Sequence, residues 1–245
     1  MDSLQRLMLG NRAWVQYTLE RDPLFFERLK EGQQPEFLWI GCSDSRIPSD
    51  TVVGAEPGDM FVHRNIANMV IHTDFNMLSV LEFAVKALKV KRIILCGHYG
   101  CGGVRAAMSH QHLGLINKWL RYIKDVYRFH RVELDAIADE VARFDRLVEL
   151  NVLEQIHHLA ETSIIQQAWN EEGTPHLHGL VFNMGTGALN ELIHLPPGSS
   201  IEEIYMFHFD EAQRPLSPRP QLDRPQLERA QLERARKSSS RYQPI

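Results

Sequence analysis

Residues 37–46, FLWIGCSDSR, decide the fold together with their counterpart at residues 92–101, RIILCGHYGC. Each stretch contains a continuous apolar run, residues 37–40 in the first and 93–96 in the second, and then passes through glycine toward polar residues. Such a run is typical of a parallel strand buried on both faces. Between them, Phe61-Val62-His63 predicts another short strand, and Thr73-Asp74 can cap a helix with an apolar face. This order predicts an α/β fold with a mostly parallel central sheet flanked by helices.

Soft metal ligands follow both strands. Cys42 ends the first, and His98 and Cys101 end the second. Because ligands of open parallel sheets bind outside the carboxyl ends of strands, we expect these side chains to meet at one edge. Thiolate and imidazole suit zinc, and three protein ligands leave a fourth position for water, as in catalytic sites. The alternative is a structural or accidental cluster, but the sequence has no second CxxC-type pair, and Cys96 lies in an apolar run that predicts core packing.

Asp44 and Arg46 follow the first candidate ligand closely. The carboxylate can accept a hydrogen bond from a metal-held water, and the guanidinium can hold that carboxylate in a bidentate pair. The alternative is a turn-forming ion pair, since Ser-Asp-Ser is also common in turns. No G-x-G-x-x-G accompanies the glycines around His98, which argues against a dinucleotide site. The pattern indicates a hydrating or hydrolytic zinc enzyme.

Composition excludes several classes of partner. The 245 residues carry a formal charge of −4 and are 44% apolar, so we expect a full core and no nucleic acid or membrane partner. We expect no transmembrane span and no signal peptide. Three cysteines make disulfides improbable, which favours a reducing compartment and a cytoplasmic location.

The flanking segments extend this single domain, which we assign to residues 1–210. Apolar residues at helical spacing over residues 1–30 predict a long and a short helix, an arm that packs on a partner subunit. Further helices are predicted over residues 115–131, 132–150 and 152–170. Two strands, 176–184 and 190–195, are joined by a turn at Gly185-Thr186-Gly187.

Residues 211–245 differ in character. They contain four prolines before residue 226 and a five-residue repeat of the form Gln-Leu-Asp/Glu-Arg. Leucines five residues apart make no single helical stripe, so we predict a disordered or loosely helical tail. The alternative is a segment that binds an unidentified partner.

Five motifs resemble those of the β-class carbonic anhydrases: residues 32–37, 42–46, 56–59, 63–68 and 97–103. The likeness extends over residues 1–210. It implies zinc as the cofactor, an obligate homodimer that can pair into a homotetramer, and carbon dioxide and bicarbonate as substrates. It implies reversible hydration of carbon dioxide by zinc-bound hydroxide, oriented by Asp44 and gated by Arg46. Cys42, His98 and Cys101 match the family's zinc ligands.

The resemblance also assigns secondary roles. If the Asp44–Arg46 pair breaks, Asp44 becomes a fourth zinc ligand in an inactive state. Gln33 and the backbone amide of Gly102 match donors to the substrate. Phe61 and Phe83 match apolar pocket positions; the alternative for both is ordinary core packing.

A regulatory bicarbonate site of the family is matched only in part. Trp39 and Arg64 match two of its residues, whereas Phe182 stands where the family has tyrosine. The resemblance therefore implies weak bicarbonate inhibition, and the alternative is a purely structural role for Trp39 and Arg64. Among possible proton shuttles, the sequence does not rank His63, His72 and His110.

Two rival functions stay open at this point. One is a carbon disulfide or carbonyl sulfide hydrolase on the same fold. The other is a non-catalytic zinc-binding interaction protein, against which the presence of Asp44, Arg46 and Gln33 argues.

Overall fold

The computed structural model describes residues 2–209, which contain a five-stranded sheet of order β2-β1-β3-β4-β5. The pairs β1–β2, β1–β3 and β3–β4 are parallel and β4–β5 is antiparallel, which confirms the predicted fold class. The strands are β1 (Phe37–Cys42), β2 (Met60–Asn65), β3 (Arg92–His98), β4 (His176–Asn183) and β5 (Ala188–Leu195).

Helices occupy the connections. They are α1 (Ser3–Arg21), α2 (Phe25–Leu29), α3 (Ser49–Val53), α4 (Phe75–Glu82), α5 (Gly102–Met108), α6 (Ile116–Phe129), α7 (Arg131–Ala136), α8 (Glu140–Ala160) and α9 (Ser163–Glu172). A π-helical turn, Phe83–Ala87, extends α4, and a 3₁₀ turn spans Glu203–Tyr205. The predicted tail, residues 211–245, lies outside the described residues.

The strand register sets the position of the site. Cys42 is the partner of Asn65 on β2, and Gly41 is the partner of Cys96 on β3, so β1 and β3 end at the same edge of the sheet. Helix α8 packs on β3 and β4 and contributes many of the buried apolar residues of the main core. Trp39 belongs to a second, smaller cluster, because successive strand residues face opposite sides of a sheet.

Two predicted helix boundaries are wrong. We expected a break at Asn151, but α8 runs through this residue, which is 1% exposed. Asparagine is a poor helix former, yet tertiary contacts override such a weak preference. The actual breaks lie at Asp139, whose side chain caps α8, and at Thr162, whose hydroxyl accepts a hydrogen bond from the backbone N–H of Ile165 at the start of α9.

The N-terminal arm consists of the two helices that were predicted, α1 and α2. Trp14 packs edge-to-face on Phe25 and Phe26, with ring centroids 6.3 and 5.4 Å apart. No residue of α1 is buried, and Leu4 and Leu7 are each more than 60% exposed. Among the described residues, no helix combines the length and apolar character needed to cross a bilayer.

Candidate active site

Three side chains converge at the carboxyl edge of the sheet. Cys42 ends β1, His98 ends β3, and Cys101 immediately precedes α5. Their potential ligand atoms all lie within 4.8 Å of one another. Cys101 and His98 are each 1% exposed, and Cys42 is half-buried. Two thiols and an imidazole in a buried cluster of this size are a donor set that suits zinc.

The His98 ring is oriented as a metal ligand. Its Nδ1 lies 3.0 Å from the carbonyl oxygen of Tyr99, which can only accept, so Nδ1 carries the hydrogen. The Nε2 lone pair therefore faces the cysteines, and this buried atom has no hydrogen-bond partner among the described residues. A backbone carbonyl that fixes the tautomer of a histidine ligand is a common feature of metal sites.

The two cysteine side chains contact each other. Their Sγ atoms are 3.9 Å apart. The hydrogen bond from Cys101 lowers the pKa of Cys42 in spite of burial, and His98 and the backbone N–H groups of Ala67 and Asp44 act in the same direction. The same bond, together with burial, raises the pKa of Cys101 far above that of an ordinary thiol. A divalent cation would stabilise both thiolates, so the cluster fits zinc.

Asp44 and Arg46 form the bidentate pair that the sequence suggested. Arg46 Nε lies 2.9 Å from Asp44 Oδ1, Arg46 Nη2 lies 2.7 Å from Oδ2, and the Arg46 backbone N–H also donates to Oδ1, at 3.0 Å. These hydrogen bonds hold the pKa of Asp44 well below its usual range. Oδ2 is 3.8 Å from His98 Nε2, so the carboxylate borders the candidate ligands while it remains bound to Arg46.

Arg64 holds the backbone that follows β1. Its Nε donates to the carbonyl of Cys42 at 2.9 Å, and its Nη2 donates to the carbonyls of Asp44 at 2.6 Å and Ile47 at 3.0 Å. Trp39 and Phe182 pack in one buried cluster with Ile47. The three residues of the predicted regulatory site therefore lie around Ile47, and the bicarbonate role itself stays a prediction.

The loop after β2 approaches Cys42 in an unusual conformation. Ala67 and Asn68 have φ angles of 64° and 50°, a left-handed region that non-glycine residues seldom adopt. Two side chains from α8 hold this loop: Asn151 Nδ2 donates to the Ala67 carbonyl at 3.1 Å, and Gln155 Oε1 accepts from the Val70 N–H at 2.7 Å. The backbone N–H of Ala67 is thereby kept at the Cys42 thiolate.

The supporting roles of these residues were not predicted from the sequence. Asn151 and Gln155 are four residues apart on a helix, so they share one face, and both are buried. A polar pair at this spacing within a run of buried apolar residues is the signal that would have indicated a buried network.

Three predicted substrate residues lie at the other edge of the sheet. Gln33 is exposed and precedes β1. Phe61 is the partner of Leu38, near the amino ends of β1 and β2, and four residues of strand, about 13 Å, separate it from Asn65. Phe83 packs on Phe61 with ring centroids 5.7 Å apart and is 48% exposed. Within one chain, these residues are not brought to the candidate zinc ligands.

Gly102 lies beside the ligands. It is the first residue of α5, directly after Cys101. The first N–H groups of a helix have no intrahelical acceptor, so the amide of Gly102 is available to a ligand. A Cβ atom at this position would meet nothing within 4 Å, which shows open space next to the site.

Comparisons with known proteins agree with this geometry. The family model described as "Carbonic anhydrase" matches residues 37–189. A carbonic anhydrase of Emericella nidulans is 50% identical over 202 residues, covering 82% of this chain and 89% of that protein. A carbonic anhydrase of Candida albicans is 32% identical over 224 residues, covering 86% and 78%.

Solved structures show the same relationship. One of two tetrameric β-carbonic anhydrases of the ascomycete Sordaria macrospora superposes with a TM-score of 0.76 at 45% identity, covering 80% of this chain and 100% of that one. A Coccomyxa β-carbonic anhydrase, solved in complex with acetazolamide, gives a TM-score of 0.76 at 33% identity over 80% and 89% of the two chains. The chain therefore belongs to the carbonic anhydrase family, and within it to the β class.

Proposed function

We propose that this protein catalyses the reversible hydration of carbon dioxide to bicarbonate and a proton, with zinc held by Cys42, His98 and Cys101. The observation that carries this proposal is the convergence of three ligand atoms within 4.8 Å, one of them the buried, unpartnered Nε2 of His98. Zinc bound there would supply a Lewis acid that makes water nucleophilic near neutral pH.

The neighbouring residues orient the reaction. Asp44, held ionised by Arg46, accepts a hydrogen bond from the attacking water and directs an oxygen lone pair toward the carbon of the substrate. The amide of Gly102 donates to a substrate oxygen, where negative charge develops as the new bond forms. The proton is released to solvent or buffer. Among the candidate shuttles, His63 is only 6% exposed, and its Nε2 lies 3.2 Å from Asn65 Nδ2.

Asp44 also offers a route to an inactive state. Its Oδ2 lies 3.8 Å from His98 Nε2, so a modest side-chain rotation brings the carboxylate into the ligand cluster. Arg46 opposes this movement because it binds both carboxylate oxygens. Loss of the Arg46 contact would let Asp44 take the fourth zinc position and exclude water.

We propose a homo-oligomer, built from dimers that can pair into tetramers, in which the exposed apolar face of α1 packs on a partner subunit. Gln33, Phe61 and Phe83 would then complete the site of the partner subunit, which explains their distance from the candidate ligands of their own chain. The tetrameric relatives from Sordaria support this assembly. Three free thiols favour a reducing compartment such as the cytoplasm.

The proposed activity is tested by stopped-flow hydration of carbon dioxide with purified protein and a parallel zinc determination. We expect one catalytic zinc per subunit and hydration that is lost when zinc is removed by a chelator and restored by added zinc. Turnover on carbon disulfide and carbonyl sulfide is the matched comparison. Hydrolysis of either compound without hydration of carbon dioxide would contradict the proposed function and show that the protein is a hydrolase.

A further inference from the structure

A second cluster of metal-ligating side chains lies where the loop after β2 meets the end of α8. It consists of His72 on the loop, His158 in the last turn of α8 and Glu161 directly after that helix. One potential ligand atom from each of the three lies within 4.8 Å of the others. None of these residues belongs to the Cys42–His98–Cys101 centre.

The His158 ring, like that of His98, is held by an acceptor at Nδ1. Its Nδ1 lies 3.1 Å from the carbonyl oxygen of Val70 and 3.3 Å from Gln155 Oε1, and the second oxygen already accepts from the Val70 N–H. Because both neighbours are acceptors, Nδ1 carries the hydrogen and Nε2 keeps its lone pair. Backbone and amide partners of this kind orient histidine ligands in metal sites.

The three side chains do not form hydrogen bonds with one another. The rings of His72 and His158 have centroids 4.8 Å apart and are inclined by 60°, so they are not stacked face to face. Within the described residues, no hydrogen bond or ion pair engages the His72 ring or the Glu161 carboxylate. Two imidazoles and a carboxylate are brought together without a mutual hydrogen bond, which is the arrangement expected of ligands that share a cation.

The electrostatic environment favours a cation. Desolvation lowers the pKa values of both histidines, although His72 is exposed and only His158 is half-buried, and this direction favours the neutral imidazole that can coordinate a metal ion. Burial, followed by the charges of Glu154 and Glu202, raises the pKa of Glu161 to about 6, so two further carboxylates contribute negative potential at Glu161. The cluster also lies at the carboxyl end of α8, where the helix dipole attracts positive charge.

We propose that His72, His158 and Glu161 form a second binding site for a divalent transition metal ion of the zinc type. Two histidines and one carboxylate suit zinc or cobalt better than calcium or magnesium, and three ligands leave room for water. An ion bound here would tie the loop that contains Ala67 and Val70 to the end of α8. Binding would therefore stabilise the folded protein in proportion to the concentration of free metal.

The test counts metal ions on the full-length protein. Protein that already carries its catalytic zinc is dialysed against buffered zinc, and the number of metal ions per subunit is measured. The samples are the natural protein, His158→Gln and Glu161→Gln. His110→Gln is the control for the loss of an exposed histidine. We expect a second zinc in the natural protein and the control, and a second-site affinity at least about tenfold weaker in both cluster variants. The melting temperature should rise with added zinc only where the second site is intact.

Cobalt distinguishes the two sites spectroscopically. The catalytic centre has thiolate ligands and should give sulfur-to-cobalt charge-transfer absorption, whereas the second centre should add only visible ligand-field bands. We expect His158→Gln and Glu161→Gln to lose the added bands and retain the charge-transfer absorption. Glu161→Gln preserves side-chain shape and decides alone if His158→Gln does not fold. A single metal per subunit in the natural protein, or a second metal that survives in Glu161→Gln, would overturn the proposal.

Discussion

Replacing Asn151 by leucine should weaken both the fold and the zinc site. Asn151 is buried in α8, and its Nδ2 donates to the carbonyl of Ala67, a residue that is itself fully buried. Leucine has the same branching and the same number of side-chain heavy atoms but cannot donate, so the carbonyl would lose its partner without a cavity being formed. Because the N–H of Ala67 reaches Cys42, the same change should loosen the backbone beside a zinc ligand.

The expected magnitude follows from the cost of one buried polar group without a partner, about 1 to 3 kcal/mol. For a domain of this size, each kcal/mol lowers the melting temperature by about 2 to 4 °C, so Asn151→Leu should melt about 2 to 12 °C below the natural protein. Loss of a contact that supports a ligand typically weakens metal affinity by about ten- to a hundredfold. We expect the zinc affinity of Asn151→Leu to be weakened by a factor within that range.

Thermal unfolding and competition with a zinc chelator measure the two effects. Asn170→Leu is the matched control, because Asn170 is an exposed residue of α9 and its replacement should change stability by less than about 0.5 kcal/mol. An Asn151→Leu variant with the same melting temperature as the control and the same zinc affinity as the natural protein would contradict the inference that the loop after β2 depends on α8.

Three further substitutions or truncations test separate parts of the site. Arg46→Ala should retain zinc and lose hydration activity, because Asp44 is then free to bind the metal. A crystal structure of this variant with Asp44 off the metal and water in its place would contradict the proposed gating role of Arg46. Phe182→Tyr adds a hydroxyl at the predicted regulatory site and should strengthen bicarbonate inhibition by about ten- to a hundredfold, whereas equal steady-state inhibition constants would remove Phe182 from that role. Truncation after Asp210 should leave activity and oligomeric mass unchanged, and monomers on size-exclusion chromatography would show that the tail takes part in assembly.

The strands and the position of the candidate ligands could be predicted from sequence for a physical reason. Continuous apolar runs such as residues 93–96 have few alternatives to a buried parallel strand, and parallel strands align their carboxyl ends. Cys42 and His98 were therefore expected at one edge of the sheet, independently of where the helices begin and end. The helix boundaries around Asn151 could not be predicted, since intrinsic preferences there are weaker than the tertiary contacts that override them.

Contacts between distant segments were beyond sequence reasoning. Neither Ala67 nor Asn68 is a glycine, so the sequence does not indicate their left-handed backbone conformation. That conformation is supported by a hydrogen bond from Asn151 on α8. The cluster of His72 and His158 joins residues 86 positions apart, so no local spacing pattern connects them. The positions of Phe61 and Phe83 relative to the ligands likewise became clear only from the strand register.

We infer that two of the three cysteines, Cys42 and Cys101, hold the zinc ion that hydration requires. Stopped-flow hydration of carbon dioxide, with zinc measured on the same samples, tests it most directly in Cys42→Ser, Cys101→Ser and Cys96→Ser. Cys96 is the matched control, because burial raises the pKa of its thiol to about 12 and it packs in the cluster with Trp39. We predict that Cys42→Ser and Cys101→Ser lose most of the zinc and all appreciable hydration, and that Cys96→Ser keeps both. Retention of zinc and activity without Cys101, or their loss without Cys96, would contradict the assignment of the site.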